Sequence, residues 1–159
     1  MSAAIDPETF RRVCAQFATG VAVATVRAPD GTPHGLTVNS FTSVSLEPPL
    51  ILICIGDVCQ ILPLFRISPY FAVNFLTVAQ QDLAVAFAER TDNRFDGVRW
   101  YEAPNGAPLL PDSLGWMECR LENVIAVGDH CILIGQVVHA DAQEGAALLY
   151  FNRSYKQVE

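Results

Sequence analysis

The chain has 159 residues, 51% of them hydrophobic and 17% charged, which excludes a disordered chain and fits one globular domain. Its net charge of -7 and isoelectric point near 4.8 exclude a binder of nucleic acid, which needs a basic face. A mean hydropathy of +0.27 is more apolar than one core should hide, since a domain this long buries only about 70% of its unfolded surface; a homo-oligomer, most simply a twofold dimer, is expected.

In chain order, Asp6-Pro7 reads as an N-cap followed by proline at the first helical position. Phe10, Val13, Cys14 and Phe17 then recur at helical spacing, which predicts an amphipathic helix ending near Gly20. "VAVATVR" alternates as a strand, "APDGTP" supplies turn residues, and "HGLTVNS" resumes extended structure, together a hairpin. Leu50 to Ile55 is a continuous apolar run between Pro49 and Gly56, read as a strand buried on both faces. "YFAVNFL" is another strand, and Thr77 with Gln80 forms a capping box ahead of the helix "LAVAFAE". A polar stretch follows from Thr91 to Asp112. Then "LGWMECRLENVIAV" and "HCILIGQVVHA" read as two long strands joined at "GDH", and "LLYFNRSYKQV" closes the chain. With many strands on short turns and no βαβ alternation, repeat or linker, an antiparallel barrel forming one domain over 1–159 is predicted.

Several chemistries find no support. No apolar run approaches the roughly 20 residues that span a bilayer, and "MSAAIDPETF" lacks the features of a signal peptide, so a cytoplasmic protein without membrane contact is expected. The five cysteines are odd in number, lack CxxC spacing and lie mostly in apolar runs, as small buried thiols do. No metal site follows, because His34, His130 and His139 have no ligand spacing around them. Neither GxGxxG nor GxxxxGK[ST] is present. Asp129 and His130, as neighbours on a strand, are expected to face opposite ways, which disfavours a Ser-His-Asp relay. Nine of the ten cations are arginine, Lys156 being the exception, and arginine's fork suits phosphate or carboxylate.

The small hydroxyl and amide residues of "HGLTVNSFTSVSLEPPLILICI" form a polar seam. In an extended segment Thr37, Asn39 and Phe41 share one face and Val38 and Ser40 the other, and small side chains let a flat ligand approach the backbone. A flavin has a polar rim that main-chain groups can read and faces that want apolar cover, for which Leu36, Val38 and the Leu50–Ile55 strand are candidates. A strand rich in Thr and Ser for its β-propensity is the plain alternative.

These residues, with "FATGVAVATV", "FAVNFL", "RF" at Arg94-Phe95, "GDH" at Gly128 to His130 and "LLYFNRSY", resemble the flavin reductase family with the FMN-binding split β-barrel fold, from about Phe10 to Tyr155. The resemblance implies a mainly β, antiparallel split barrel with a few flanking helices, forming a homodimer. It implies reduction of FMN or FAD by NADH or NADPH, and supply of reduced flavin to a partner flavin-dependent monooxygenase. By the same resemblance the flavin lies along Thr37, Val38, Asn39, Ser40 and Ser43, against Cys54 and Ile55, with its phosphate near Gly56 to Gln60. Ala88, Arg94 and Phe95 border it, with Arg94 facing phosphate. His130 resembles a nicotinamide-side contact and is the one catalytic candidate, while Arg153 and Tyr155 cover the dinucleotide. The chain departs from the pattern at "DVCQ", where Cys59 and Gln60 stand in place of phosphate-binding hydroxyls. Backbone N–H groups at the start of the "LPLFR" helix are expected to compensate. Two other readings stay open: a flavin-binding electron carrier without a nicotinamide site, and an enzyme like pyridoxamine-phosphate oxidase on a related barrel.

Overall fold

The structure, a computed structural model, describes residues 4–158. Asp6 caps the first helix as expected: its carboxylate accepts the Thr9 N–H at 2.9 Å, and Pro7 opens α1 (Pro7–Cys14). The helix stops at Cys14 rather than near Gly20, because the Ala15 carbonyl turns away to accept the N–H of Asn152 from the far end of the chain. Phe10, Val13 and Phe17 are therefore exposed, and α1 buries none of its residues.

Next come β1 (Thr19–Gly20), β2 (Ala22–Arg27) and β3 (Pro33–Val38), the last two paired as the expected hairpin around a turn with Gly31 at φ 90°. They are followed by β4 (Thr42–Ser45), β5 (Leu50–Gly56), α2 (Leu62–Ile67) and β6 (Tyr70–Phe75). The Thr77/Gln80 capping box forms, but it opens a short 3-10 turn that leads into α3 (Gln81–Ala88). The polar stretch contributes two short strands, β7 (Tyr101–Glu102) and β8 (Pro108–Leu109). The long pair β9 (Gly115–Val127) and β10 (His130–Ala142) then precedes the closing hairpin of β11 (Leu148–Phe151) and β12 (Ser154–Gln157).

Seven strands make one antiparallel sheet in the order β3-β2-β6-β9-β10-β5-β4. At 46% strand and 16% helix the molecule is mainly β, as predicted. The sheet's two terminal strands, β3 and β4, are consecutive in the chain, so Asn39 to Phe41 crosses from one edge to the other and the sheet curls on itself. The barrel is split, since no ladder joins β3 to β5 or β4. Past Thr42↔Leu52, where the β4–β5 ladder ends, the Ser40 hydroxyl takes over: it accepts the Cys54 N–H at 2.9 Å and donates to the Cys54 carbonyl at 3.0 Å.

The interior holds Ala22, Ala24, Val26, Ile51, Ile53, Ile55, Phe71 and Leu133. β2 and β6, rather than β5, are buried on both faces. Val23 and Thr25, on the outer face of β2, lie under α3 and the 103–110 loop, and the Thr25 hydroxyl donates to the Pro108 carbonyl. On β5, Ile51, Ile53 and Ile55 point inward while Leu50, Leu52 and Cys54 stay half-exposed, since no element among the described residues covers that side. A continuous apolar run and an alternating one thus exchanged the environments expected of them.

The polar stretch is tied down by two buried side chains. Glu118 accepts the N–H groups of Asn105 (3.0 Å) and Ala107 (3.2 Å) and the Asn105 side-chain amide (3.1 Å). Asn74 accepts the Leu110 N–H at 2.9 Å and donates to the Val23 carbonyl at 3.1 Å. All five cysteines are free; Cys119 and Cys131 are buried, but Cys14 is exposed and Cys54 and Cys59 are half-buried, so buried thiols are fewer than the sequence suggests. Burial, aided by the Glu118 charge, pushes the Cys119 thiol up to about 12. Among the described residues no cluster of side chains is arranged to hold a metal, and no helix is long and apolar enough to cross a membrane.

Candidate functional site

Two hollows meet at the end of β3. The first, of about 300 Å³, is bounded by Leu36 and Thr37, the turn from Gly56 to Gln60, Phe87 and Ala88 of α3, and Arg90 and Arg94. The second, of about 190 Å³, lies between Val21, Thr37, Val38, Asn39 and Ala88 on one side and Tyr150 and Tyr155 on the other. Thr37 and Ala88 line both, so the hollows are the two ends of one groove, cationic and polar at one end and aromatic at the other.

The wall is built by α3 lying on β3. Phe87 sits directly over Gly35, where a Cβ would stand 3.0 Å from the ring and 3.1 Å from the Ala24 carbonyl oxygen, so glycine is what lets helix and strand approach. The Thr37 hydroxyl donates to the Ala84 carbonyl at 2.6 Å, fixing the register of that contact. Because β3 is a terminal strand of the sheet, one edge of its main chain carries no ladder.

At the cationic end the turn folds tightly: Cys59 N–H bonds Gly56, and Asp57 N–H bonds the Asp129 carbonyl at 3.0 Å. The start of α2 does not supply the expected donors. Leu62 and Leu64 spend their N–H groups on the Cys59 and Ile61 carbonyls, and Pro63 has none. The N–H groups of Val58, Gln60 and Ile61, just before the helix, have no protein partner among the described residues and are the donors the turn offers. Arg94 is fixed in the wall, its Nε donating to the Glu89 carbonyl at 2.7 Å and its Nη1 to the Gly35 carbonyl at 2.8 Å.

His130 stands beside this turn rather than in the groove. It pairs with Gly56 across the β5–β10 ladder, its Nε2 lying 3.7 Å from where a Gly56 Cβ would be. Asp129 does not face away from it. Asp129 lies in the turn, after Gly128 at φ 58°, and its carboxylate folds back to within 2.7 Å of His130 Nδ1. The hydrogen bond and charge of His130 hold the Asp129 carboxyl below its ordinary value of 3.8. The stabilisation from that pair is whole above the ordinary value and is lost as the pH falls through the lowered one.

Of the remaining expected contacts, Val38, Asn39, Gly56, Gln60, Ala88 and Tyr155 line the groove with Thr37 and Arg94. Ser40 and Cys54 form the seam, and Ile55 is buried in the barrel. Ser43 is exposed on β4, away from either hollow. Phe95 packs edge-on against Phe87 at 4.9 Å and Trp100 at 6.3 Å, and borders a different hollow. Arg153 is engaged by Glu8 at 2.6 Å, on α1, rather than pointing toward a dinucleotide. Tyr155 meets Tyr150 edge-on at 5.3 Å, and burial, then its neighbour, raises its phenol above the ordinary value. Arg90, Phe87 and Tyr150 are lining residues that the sequence did not single out. Tyr150 was within reach, two strands of one hairpin bringing it opposite Tyr155, whereas nothing in the pattern after α3 distinguishes Arg90 from a surface arginine.

Residues 14–159 match the family described as a flavin reductase like domain. The reductase subunit Stc3 of stachydrine N-demethylase from Rhizobium meliloti is 41% identical over 83% of this chain, and the chain spans 57% of that protein's length. The reductase subunit HsaB of a flavin-dependent monooxygenase from Rhodococcus jostii is 38% identical over 98% of the chain and 80% of its own length. Among solved structures, the NADH:FAD oxidoreductase SgcE6 of Streptomyces globisporus, in complex with NAD and FAD fragments, superposes with a TM-score of 0.91 at 35% identity, covering 99% of this chain and 98% of that one.

Proposed function

Since the chain belongs to the flavin reductase like domain family, we propose that it is an NAD(P)H-dependent flavin reductase that supplies reduced FMN or FAD to a partner monooxygenase. The observation that carries this reading is the single groove with unpaired main-chain donors and a fixed arginine at one end, an open strand edge along its floor, and apolar and aromatic walls. That donor set fits a flavin: an anionic tail, a planar polar rim and two apolar faces. A bound flavin supplies the hydride acceptor, and a nicotinamide the donor.

The chain's own part is binding and alignment, consistent with the lack of an acid–base dyad among the described residues that line the groove. Val58, Gln60 and Ile61 N–H groups, with Arg94, hold the phosphate. The free edge of β3 from Thr37 and the unladdered main chain at Asn39 meet the rim and favour negative charge there. Asp129, a carboxylate that only accepts, keeps the hydrogen of His130 on Nδ1 and leaves Nε2 toward the site's outer side, where a nicotinamide carboxamide is steered.

The first test is NADH and NADPH consumption by the purified protein without flavin, with FMN and with FAD; turnover that rises with added flavin supports the reading and ranks the cofactors. Bound flavin that is reduced by a pyridoxamine phosphate and by neither nicotinamide would move the protein to another class. His130→Ala is expected to raise the KM for NADH about tenfold, the loss of one charge-assisted or buried polar contact, with flavin Kd unchanged. An unchanged KM removes His130 from the nicotinamide side.

A homodimer is part of this proposal. The described chain exposes 9400 Å², against about 7,900 Å² expected of a compact monomer of 17.4 kDa. An uncovered apolar stripe runs over the outer face of β5, β9 and β10, where the half-buried Leu52 stands by Ile134, and Cys54 by Ile132 and the exposed Ile125. Val44 and Leu46 extend it. Sedimentation of the flavin-free protein as a monomer at micromolar concentration would count against it.

A further inference from the structure

The two arginines at the cationic end are held differently. Arg94 is locked by two main-chain carbonyls, whereas Arg90, just beyond α3, is exposed and takes part in no hydrogen bond or ion pair among the described residues. The carboxylates of Glu89 and Asp92, close by in sequence, form an ion pair with neither arginine among the described residues. In a chain of net charge -7, two guanidinium groups converging on one hollow are a local reversal of the field, and an unpaired fork at the rim suits a phosphate.

The proposed reading gives a monophosphate the free N–H groups of the turn together with Arg94, which leaves Arg90 over. We infer that Arg90 reads a second phosphate, so that the groove discriminates a diphosphate-bridged dinucleotide from a mononucleotide. The inference rests on the flavin reductase reading of the groove. Two ligands carry that chemistry, FAD and the nicotinamide dinucleotide.

The experiment measures Kd for FMN and for FAD by flavin fluorescence, and the KM for NADH with FMN as the saturating flavin, for the wild-type protein, Arg90→Ala and Arg90→Lys at one ionic strength. Arg90 is exposed, so both variants are expected to fold. Arg90→Ala is expected to weaken FAD about tenfold, as the loss of one charge-assisted contact does, and to leave FMN within about twofold. Arg90→Lys keeps the charge without the fork and falls between. If both flavins are unchanged and the KM for NADH rises about tenfold instead, the diphosphate read is that of the nicotinamide dinucleotide, and the inference stands. Equal weakening of FMN and FAD, or no change in any of the three constants, overturns it while leaving the flavin reductase reading intact. Failure of the wild-type protein to bind either flavin fails that reading, and the inference with it.

Discussion

Glu118→Ala is expected to destabilise the protein by about 3 kcal/mol and to lower Tm by roughly 10 °C, the largest effect of any single substitution considered. The carboxylate is fully buried and accepts from Asn105 and Ala107 main-chain groups and the Asn105 amide. Truncation strands the buried Ala107 N–H away from water and unties the exposed Asn105 from the sheet, and an unmade buried hydrogen bond costs more than a made one contributes. Glu118→Gln keeps one acceptor oxygen and should lose less. Flavin affinity, measured where both proteins are folded, should not change, because the 103–107 loop lies outside the groove. A Tm shift below about 3 °C for the alanine variant would mean that Asn74 and the apolar contacts of Leu109 and Leu110 hold this loop without Glu118.

Arg94→Ala should raise the Kd of FMN and FAD together, by about thirtyfold, because one side chain does two jobs. It offers charge to the phosphate end, and it ties Glu89 and Gly35 main-chain carbonyls into one wall. Arg94→Lys keeps the charge but cannot hold two carbonyls with a planar fork, so it should recover little of the affinity. Recovery to within about twofold of wild type by lysine would assign Arg94 a purely electrostatic role. Equal loss for the two flavins also separates Arg94 from Arg90, whose effect is expected to depend on the second phosphate.

Two of the strand pairings and one helix start were legible because local signals agreed: the hairpin of β2 and β3, the long β9–β10 pair across "GDH", and the Thr77/Gln80 box all rest on short-range chemistry, whereas the order of the remaining strands in the sheet depends on tertiary pairing. What failed was burial. The Leu50–Ile55 run is half-open and "VAVATVR" is enclosed from Val21 to Val26, because α3 and the 103–110 loop arrive from elsewhere in the chain to cover one and not the other. The site shows the same division. Thr37, Val38 and Asn39, expected from the polar seam, and Gly56 and Gln60, expected from the family resemblance, all line the groove, but the lining position of Arg90 and the diversion of Arg153 to Glu8 depend on tertiary placement. The turn donors were misplaced by a few residues for a local reason: Pro63 and the tight bonds of Leu62 and Leu64 consume the helix start, so the free amides fall before it. Asp129 and His130 were read as strand neighbours, although one of them belongs to the turn.

The hydroxyl of Ser40 closes the barrel where a ladder would otherwise run. A ladder opens cooperatively, many bonds at once, whereas a closure resting on one side chain opens by a single rotamer change. The Cys54 amide should then exchange with solvent deuterium far sooner than its neighbours Ile53 and Ile55, which are held by β10 and buried in the interior. The crossing segment from Asn39 to Phe41 would breathe with it, giving the groove a route for loading and release that leaves the rest of the barrel intact.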